Sequence, residues 1–119
     1  MGNRQRGRVI VGRGLVEAFL REMFTLYDAG MVEAIERQET KPTLMMLGLT
    51  PQDAMDEVRN LHVDEYWSGP EDEIDQGRPP GDIWVFKRKI CGNIIYIKIK
   101  INTKRNMLIF VSFHTDKPS

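Results

Sequence analysis

Between Asn93 and Ile101 the chain reads NIIYIKIKI, and the alternation is strict. Ile95, Ile97, Ile99 and Ile101 fall on one side; Tyr96, Lys98 and Lys100 fall on the other. Successive side chains of a strand point to opposite faces, so a period of two over β-prone residues specifies a strand with one buried face. The second face carries two lysines and a tyrosine and no acid. A merely solvated face mixes charges of both signs, because that reduces repulsion.

The segment before it, Asp82–Ile90, reads DIWVFKRKI, and Cys91-Gly92-Asn93 lies between the two. A Gly-Asn loop suits a type II′ hairpin, which places glycine first. That register predicts Lys89 opposite Tyr96 and Lys87 opposite Lys98. It also sets Ile90 against Ile95, Arg88 against Ile97, Phe86 against Ile99 and Trp84 against Ile101. A slip of one residue would mix the apolar and basic faces. Like charges directly opposite cost roughly 0.2–1 kcal/mol per pair. An anionic partner would offset that cost; a lysine-protected, solvated sheet face is the alternative.

A third strand follows as MLIFVSFHT, Met107–Thr115, after the loop Asn102–Asn106. Simple alternation predicts Met107, Ile109, Val111 and Phe113 on the isoleucine face. Phe110, Ser112 and His114 then join Tyr96 and Lys98. One side of a three-stranded meander would thus collect Lys87, Lys89, Tyr96, Lys98, Ser112 and His114.

The chain has 119 residues, enough for one domain spanning 1–119, and its charge balances at 17 basic and 17 acidic residues. The balance hides blocks. Residues 83–119 carry eight Lys and Arg against Asp116 alone; residues 50–82 carry ten Asp and Glu against Arg59 and Arg78. The N-terminal arm is basic again through Arg4, Arg6, Arg8 and Arg13. Blocks bear on partners more than the sum does, and a basic sheet bearing aromatics suits a phosphate backbone. The acidic segment can equally sit against the basic surfaces. Cys91 is the single cysteine, and His62 and His114 are far apart, so no zinc-ligand spacing exists and no metal is expected. No apolar run reaches transmembrane length, and the N-terminus lacks the apolar segment of a signal peptide. No membrane association is expected, and the cytoplasm is the expected location.

Along the chain, residues 1–8 read as a loose basic arm and 14–62 as mainly helical. Leu15, Phe19, Met23 and Leu26 recur at helical spacing up to Ala29, with Gly30 as C-cap. Met31–Arg37 fits a strand or a short helix, and Thr43–Leu47 a helical turn. Thr50 as N-cap, Pro51 at the first position and Asp53 at the third predict a helix to about Leu61, burying Ala54, Val58 and Leu61. Residues 64–82 read as a long acidic loop, and such loops in small domains are usually functional or mobile. Residues 82–115 form the meander. Helices first and then a meander give an α+β fold, with N-terminal helices packed on a C-terminal twisted antiparallel sheet.

Leu47–Thr50 (LGLT) opening a helix, Glu65–Pro70 (EYWSGP), Trp84–Phe86 (WVF), Gly92–Ile101 (GNIIYIKIKI) and Val111–His114 (VSFH) stand in a characteristic order and spacing. Together they resemble the MqsR-type toxins of bacterial type II toxin–antitoxin systems over roughly residues 44–115. The resemblance implies a RelE-like fold. It implies an mRNA endoribonuclease that acts without metal or cofactor and is held off by a cognate antitoxin protein. It also implies a site of lysines, a glutamine and a tyrosine on or beside the sheet. Tyr96 matches the family tyrosine. His114 stands where the family has a lysine, and Ser68 and Val85 stand where it has a further lysine and the glutamine.

Metal-free RNA cleavage needs a base for the ribose 2′-OH, charge to stabilise the phosphorane and an acid for the leaving 5′-oxygen. The catalytic candidates are His114, the residue type that titrates near neutral pH, with Tyr96 and Lys98. Lys87, Lys89 and Lys100 are candidates for holding phosphates. Tyr66, Trp67 and Phe110 are candidates for stacking on bases, since single-stranded RNA is commonly read on aromatic side chains; core packing is the alternative for each. Two other functions fit these residues. The basic face can serve a non-catalytic module that binds nucleic acid or an acidic protein, or the acidic segment can dock a basic partner.

Overall fold

In the computed structural model, which describes residues 8–34, 40–72 and 80–115, the chain folds as three helices and five strands. They run α1 (Arg13–Asp28), β1 (Val32–Ala34), α2 (Thr40–Leu47), α3 (Pro51–Arg59), a 3₁₀ turn (Val63–Glu65), β2 (Tyr66–Glu71), β3 (Ile83–Ile90), β4 (Asn93–Asn102) and β5 (Met107–Thr115). The strands make one sheet in the order β1-β5-β4-β3-β2. The fold is α+β, as expected. The sheet is mixed rather than antiparallel throughout, because β1 runs parallel to β5.

The expected meander is therefore only the centre of the sheet. Met31–Arg37 resolves in part into β1, where the Leu108 amide donates to the Met31 carbonyl at 2.9 Å. Three residues are too few to display a period of two. The segment 64–82 is not simply a loop, since its first part forms β2. Gly69 and Pro70 argue against a strand in general, but β2 is outermost, and proline is tolerated at sheet edges. The remainder of that segment, 73–79, and the basic arm 1–7 lie outside the described residues.

The helices pack on the isoleucine face. In α1 the buried stripe is Val16, Phe19, Leu20, Met23 and Leu26. Leu15 was expected on this stripe but is 60% exposed, because the stripe starts one position later, at Val16. Phe19 stacks on Trp84 with centroids 4.4 Å apart. In α3 the Thr50 side chain accepts from the Asp53 amide and Asp53 accepts from the Thr50 amide, a reciprocal cap. Proline follows the cap at the position where its missing N–H costs nothing. Ala54, Val58 and Leu61 are buried as predicted, although the helix ends at Arg59. These side chains join Phe86, Ile95, Ile97, Ile99, Ile101, Leu108, Phe110 and Phe113 in one core.

The β3–β4 register differs from expectation by two residues: Lys87 faces Tyr96, Lys98 faces Val85, and Ile90 faces Asn93. The loop residues are Cys91 and Gly92, with φ of 51° and 80°. Two positive φ values make this a type I′ turn rather than II′, which matches the strand twist. A shift of two preserves every face assignment and removes the expected Lys87–Lys98 juxtaposition. Arg88, on the helix side, donates to Glu57 at 2.7 Å and to both oxygens of Glu65 at 2.9 Å, tying β3 to α3 and the 3₁₀ turn. Acidic residues of the central segment thus serve the fold here.

Strand β5 departs most from simple alternation. Lys98 pairs with Ser112 but Ile99 pairs with Phe110, so Val111 is an extra residue, a β-bulge. Before the bulge, Leu108 and Phe110 point to the core while Met107 and Ile109 pair with Asn102 and Lys100. After it, Phe113 is in the core and Ser112 and His114 share the second face with Lys98 and Tyr96. Met107, Ile109 and Phe110 consequently lie on faces opposite to those expected.

Candidate nucleic-acid interface

Four strands deliver one row of side chains to the face away from the helices. Trp67 comes from β2, Lys87 from β3, Tyr96 from β4 and His114 from β5. Direct pairing sets Lys87 beside Tyr96 and Tyr96 beside His114. The Tyr96 and His114 rings stack with centroids 5.4 Å apart and planes 7° from parallel. Trp67 meets Tyr96 edge-on at 6.1 Å. The Lys87 ammonium lies 4.0 Å from the indole centre of Trp67 and 5.2 Å from the ring centre of Tyr96. Such placement over aromatic faces lets the ring quadrupoles hold the cation. All four side chains are half-buried.

Lys98 sits two residues further along β4, opposite Val85 and Ser112. Its side chain is partly exposed, and Lys89, opposite Ile94 near the hairpin end, is exposed. The face therefore unites Lys87, Lys89, Lys98, Tyr96, His114 and Trp67. The Ser112 hydroxyl is buried on this face with no hydrogen-bond partner among the described residues.

Three candidates do not belong to this surface. Lys100 has the right parity but is fully buried. Gly81, on the segment entering β3, stands beside its aliphatic stem: a Cβ there would lie 3.6 Å from Lys100 Cδ. Tyr66 is on the core side, packed against Trp84 and Phe86. Its single hydroxyl proton lies between the Gly69 and Val9 carbonyl oxygens, and its oxygen accepts from the Val11 amide. Trp67 lies at a register shift between Tyr66 and Ser68 and meets Tyr96 and Lys87 on the other side of the sheet, so a tyrosine–tryptophan pair does not serve one surface. Phe110 is turned into the core by the bulge.

Two of the three positions that differ from the pattern of the resembling family fall together. Ser68 and Val85 pair across β2 and β3 and are only 1% and 4% exposed. The Ser68 hydroxyl donates to Glu71 at 2.6 Å. His62, the other imidazole, caps the 3₁₀ turn by accepting from the Asp64 amide, away from the row.

Sequence reasoning missed Arg8. Its guanidinium carbon lies 3.4 Å from the indole centre of Trp67. The basic composition of the arm was visible, but no periodicity reports that residue 8 reaches the sheet. What brings it there is the Gly69 amide, which donates to the Val9 carbonyl at 2.8 Å and staples the chain along β2.

Among the described residues, no three His, Cys, Asp or Glu side chains converge as metal ligands, and no helix is long and apolar enough to cross a membrane. No protein-family model matches the chain, and no match is found among curated proteins.

Proposed function

We propose that the second face of the sheet is the working surface of a metal-independent endoribonuclease, an mRNA-cleaving toxin restrained by a cognate antitoxin protein in the cytoplasm. The observation that carries the reading is the row Trp67–Lys87–Tyr96–His114, gathered from four strands onto the second face of the sheet and left half-buried there. The resemblance to MqsR-type toxins, with its RelE-like fold, supports it independently through the order of the sequence motifs.

In the proposed reaction the ribose 2′-oxygen attacks the adjacent phosphorus and the bond to the 5′-oxygen breaks. His114 takes the 2′-OH proton. Lys87 and Lys98 stabilise the charge that accumulates on the phosphorane oxygens, which is usually the largest catalytic contribution. Tyr96, or Lys98, supplies the proton that the departing 5′-oxygen requires. The products are a 2′,3′-cyclic phosphate and a 5′-OH. Lys89 lies where it can hold a flanking phosphate, and Trp67 offers an aromatic surface to a base.

The test is incubation of the purified protein with RNA in EDTA, followed by chemical identification of the ends. Cyclic phosphate and 5′-OH ends support the reading; cleavage that EDTA abolishes contradicts it. One observation favours a non-catalytic binding module instead. Ser68 and Val85 are buried where the family carries a lysine and a glutamine, so neither presents that chemistry. Tight RNA binding without cleavage, unaltered by His114→Ala, would select that module.

A further inference from the structure

Trp67 holds two cations at once: the Arg8 guanidinium at 3.4 Å and the Lys87 ammonium at 4.0 Å from the ring centre. Two like charges that close to one centre would collide on a single face. Their mutual repulsion favours placement on opposite sides of the indole. Lys87 is built into β3 and also contacts Tyr96, so its side of the ring belongs to the sheet. Arg8 is different. It is exposed, it precedes α1, and the chain there is held at Val9, one residue later. Its backbone is thus anchored beside the ring while its side chain lies at the surface.

A guanidinium at 3.4 Å is at stacking distance. It is planar, delocalised and weakly hydrated, and so it occupies an indole face much as a nucleobase does. Tyr96 lies nearly perpendicular to Trp67, at 82° and 6.1 Å, and does not stack on it.

We propose that the Trp67 face covered by Arg8 is a subsite for one unpaired nucleobase of single-stranded RNA, and that Arg8 is its intramolecular placeholder. An incoming base displaces the guanidinium and stacks on the indole. Lys87 stays behind the ring and strengthens its hold on the sheet. Arg8 thereby sets a threshold: a ribose-phosphate backbone without a base gains nothing by moving it. This rests on the reading of the face as an RNA-binding surface, but not on the cleavage chemistry.

The probe is a short oligonucleotide of 2′-deoxy residues, which lacks the attacking hydroxyl, compared with an abasic oligomer of the same length and charge. The quantity read is the ratio of their affinities. Stacking on an aromatic side chain makes this ratio greater than one in the wild type. Arg8→Ala removes the competitor and is expected to raise the ratio about two- to five-fold, the range of an exposed cation–π contact. Trp67→Ala is expected to bring it to about one, and Trp67→Phe, which keeps a smaller ring and guards against misfolding, to an intermediate value. A ratio that Arg8→Ala leaves unchanged or lowers overturns the placeholder role while leaving the ribonuclease reading standing. A wild type that binds neither oligomer overturns both.

Discussion

Tyr96 and His114 lie ring on ring, 5.4 Å apart and within 7° of parallel, because β4 and β5 pair them directly. The strand pairing sets the relative position of the two rings. A phenol and an imidazole are thereby offered to one substrate at a fixed spacing, which is the geometric requirement for moving a proton in and a proton out.

The first expectation concerns that pair. His114→Ala and Tyr96→Phe should each slow single-turnover RNA cleavage about 10²–10⁴-fold, the usual share of a general acid or base. Binding of an uncleavable 2′-deoxy oligonucleotide should change only slightly. A variant that loses binding and turnover in equal measure would assign the ring to substrate holding instead.

The lysines should separate by burial. Lys87→Gln and Lys98→Gln should each lower the slope of log affinity against log salt by about 0.7 for single-stranded RNA, one phosphate contact apiece. Lys100→Gln should leave that slope unchanged, because Lys100 is fully buried. Filter binding across a salt series distinguishes these outcomes; an unchanged slope in Lys98→Gln would remove Lys98 from the phosphate path.

The reciprocal cap at Thr50 and Asp53 gives a stability expectation independent of function. Thr50→Ala should cost about 0.5–2 kcal/mol, as an N-cap replacement typically does. Urea denaturation should show a lower midpoint with an unchanged slope.

Arg59 donates two hydrogen bonds to Asp28, at 2.8 and 2.9 Å, joining α3 to the end of α1. These bonds hold the Asp28 carboxyl below its ordinary pKa of 3.8. A depressed folded-state pKa adds stability above the unfolded value and loses it as pH falls through the folded one. The stability gap between wild type and Arg59→Met should therefore be constant at neutral pH and narrow only below pH 3.8. Melting curves across an acid series check this; a gap that persists at the acid end would assign it to the packing of Arg59 on Phe24.

How far the fold could be read depended on how many residues each signal spans. The ten residues of β4 displayed their period openly, and the α3 cap is encoded by Thr50, Pro51 and Asp53 alone. β1 has three residues and β2 contains Gly69 and Pro70, so neither shows an alternation strong enough to see. The site was legible where it rested on parity within one hairpin: Lys87, Lys89, Tyr96 and Lys98 came out together despite a misjudged turn. It failed where parity was interrupted or overridden. Phe110 was misplaced because nothing in MLIFVSFHT announces an extra residue at Val111. Lys100 has the parity of Lys98, but burial depends on the segment around Gly81, which sequence alternation does not report. Arg8 depends on its neighbour Val9 being held by the Gly69 amide and the Tyr66 hydroxyl, long-range contacts that no periodicity reports.

The irregularity at Val111 makes the two ends of one strand independent of each other. Upstream of it, Leu108 and Phe110 supply the hydrophobic interior; downstream, the buried Ser112 and the half-buried His114 turn to the second face, while Phe113 still reaches inward. Had the strand been continuous, moving His114 to the second face would have carried every upstream side chain with it. Loss of that one extra residue would turn Phe113 out of the interior and His114 into it, so the surface cannot be re-registered without rebuilding what lies beneath it.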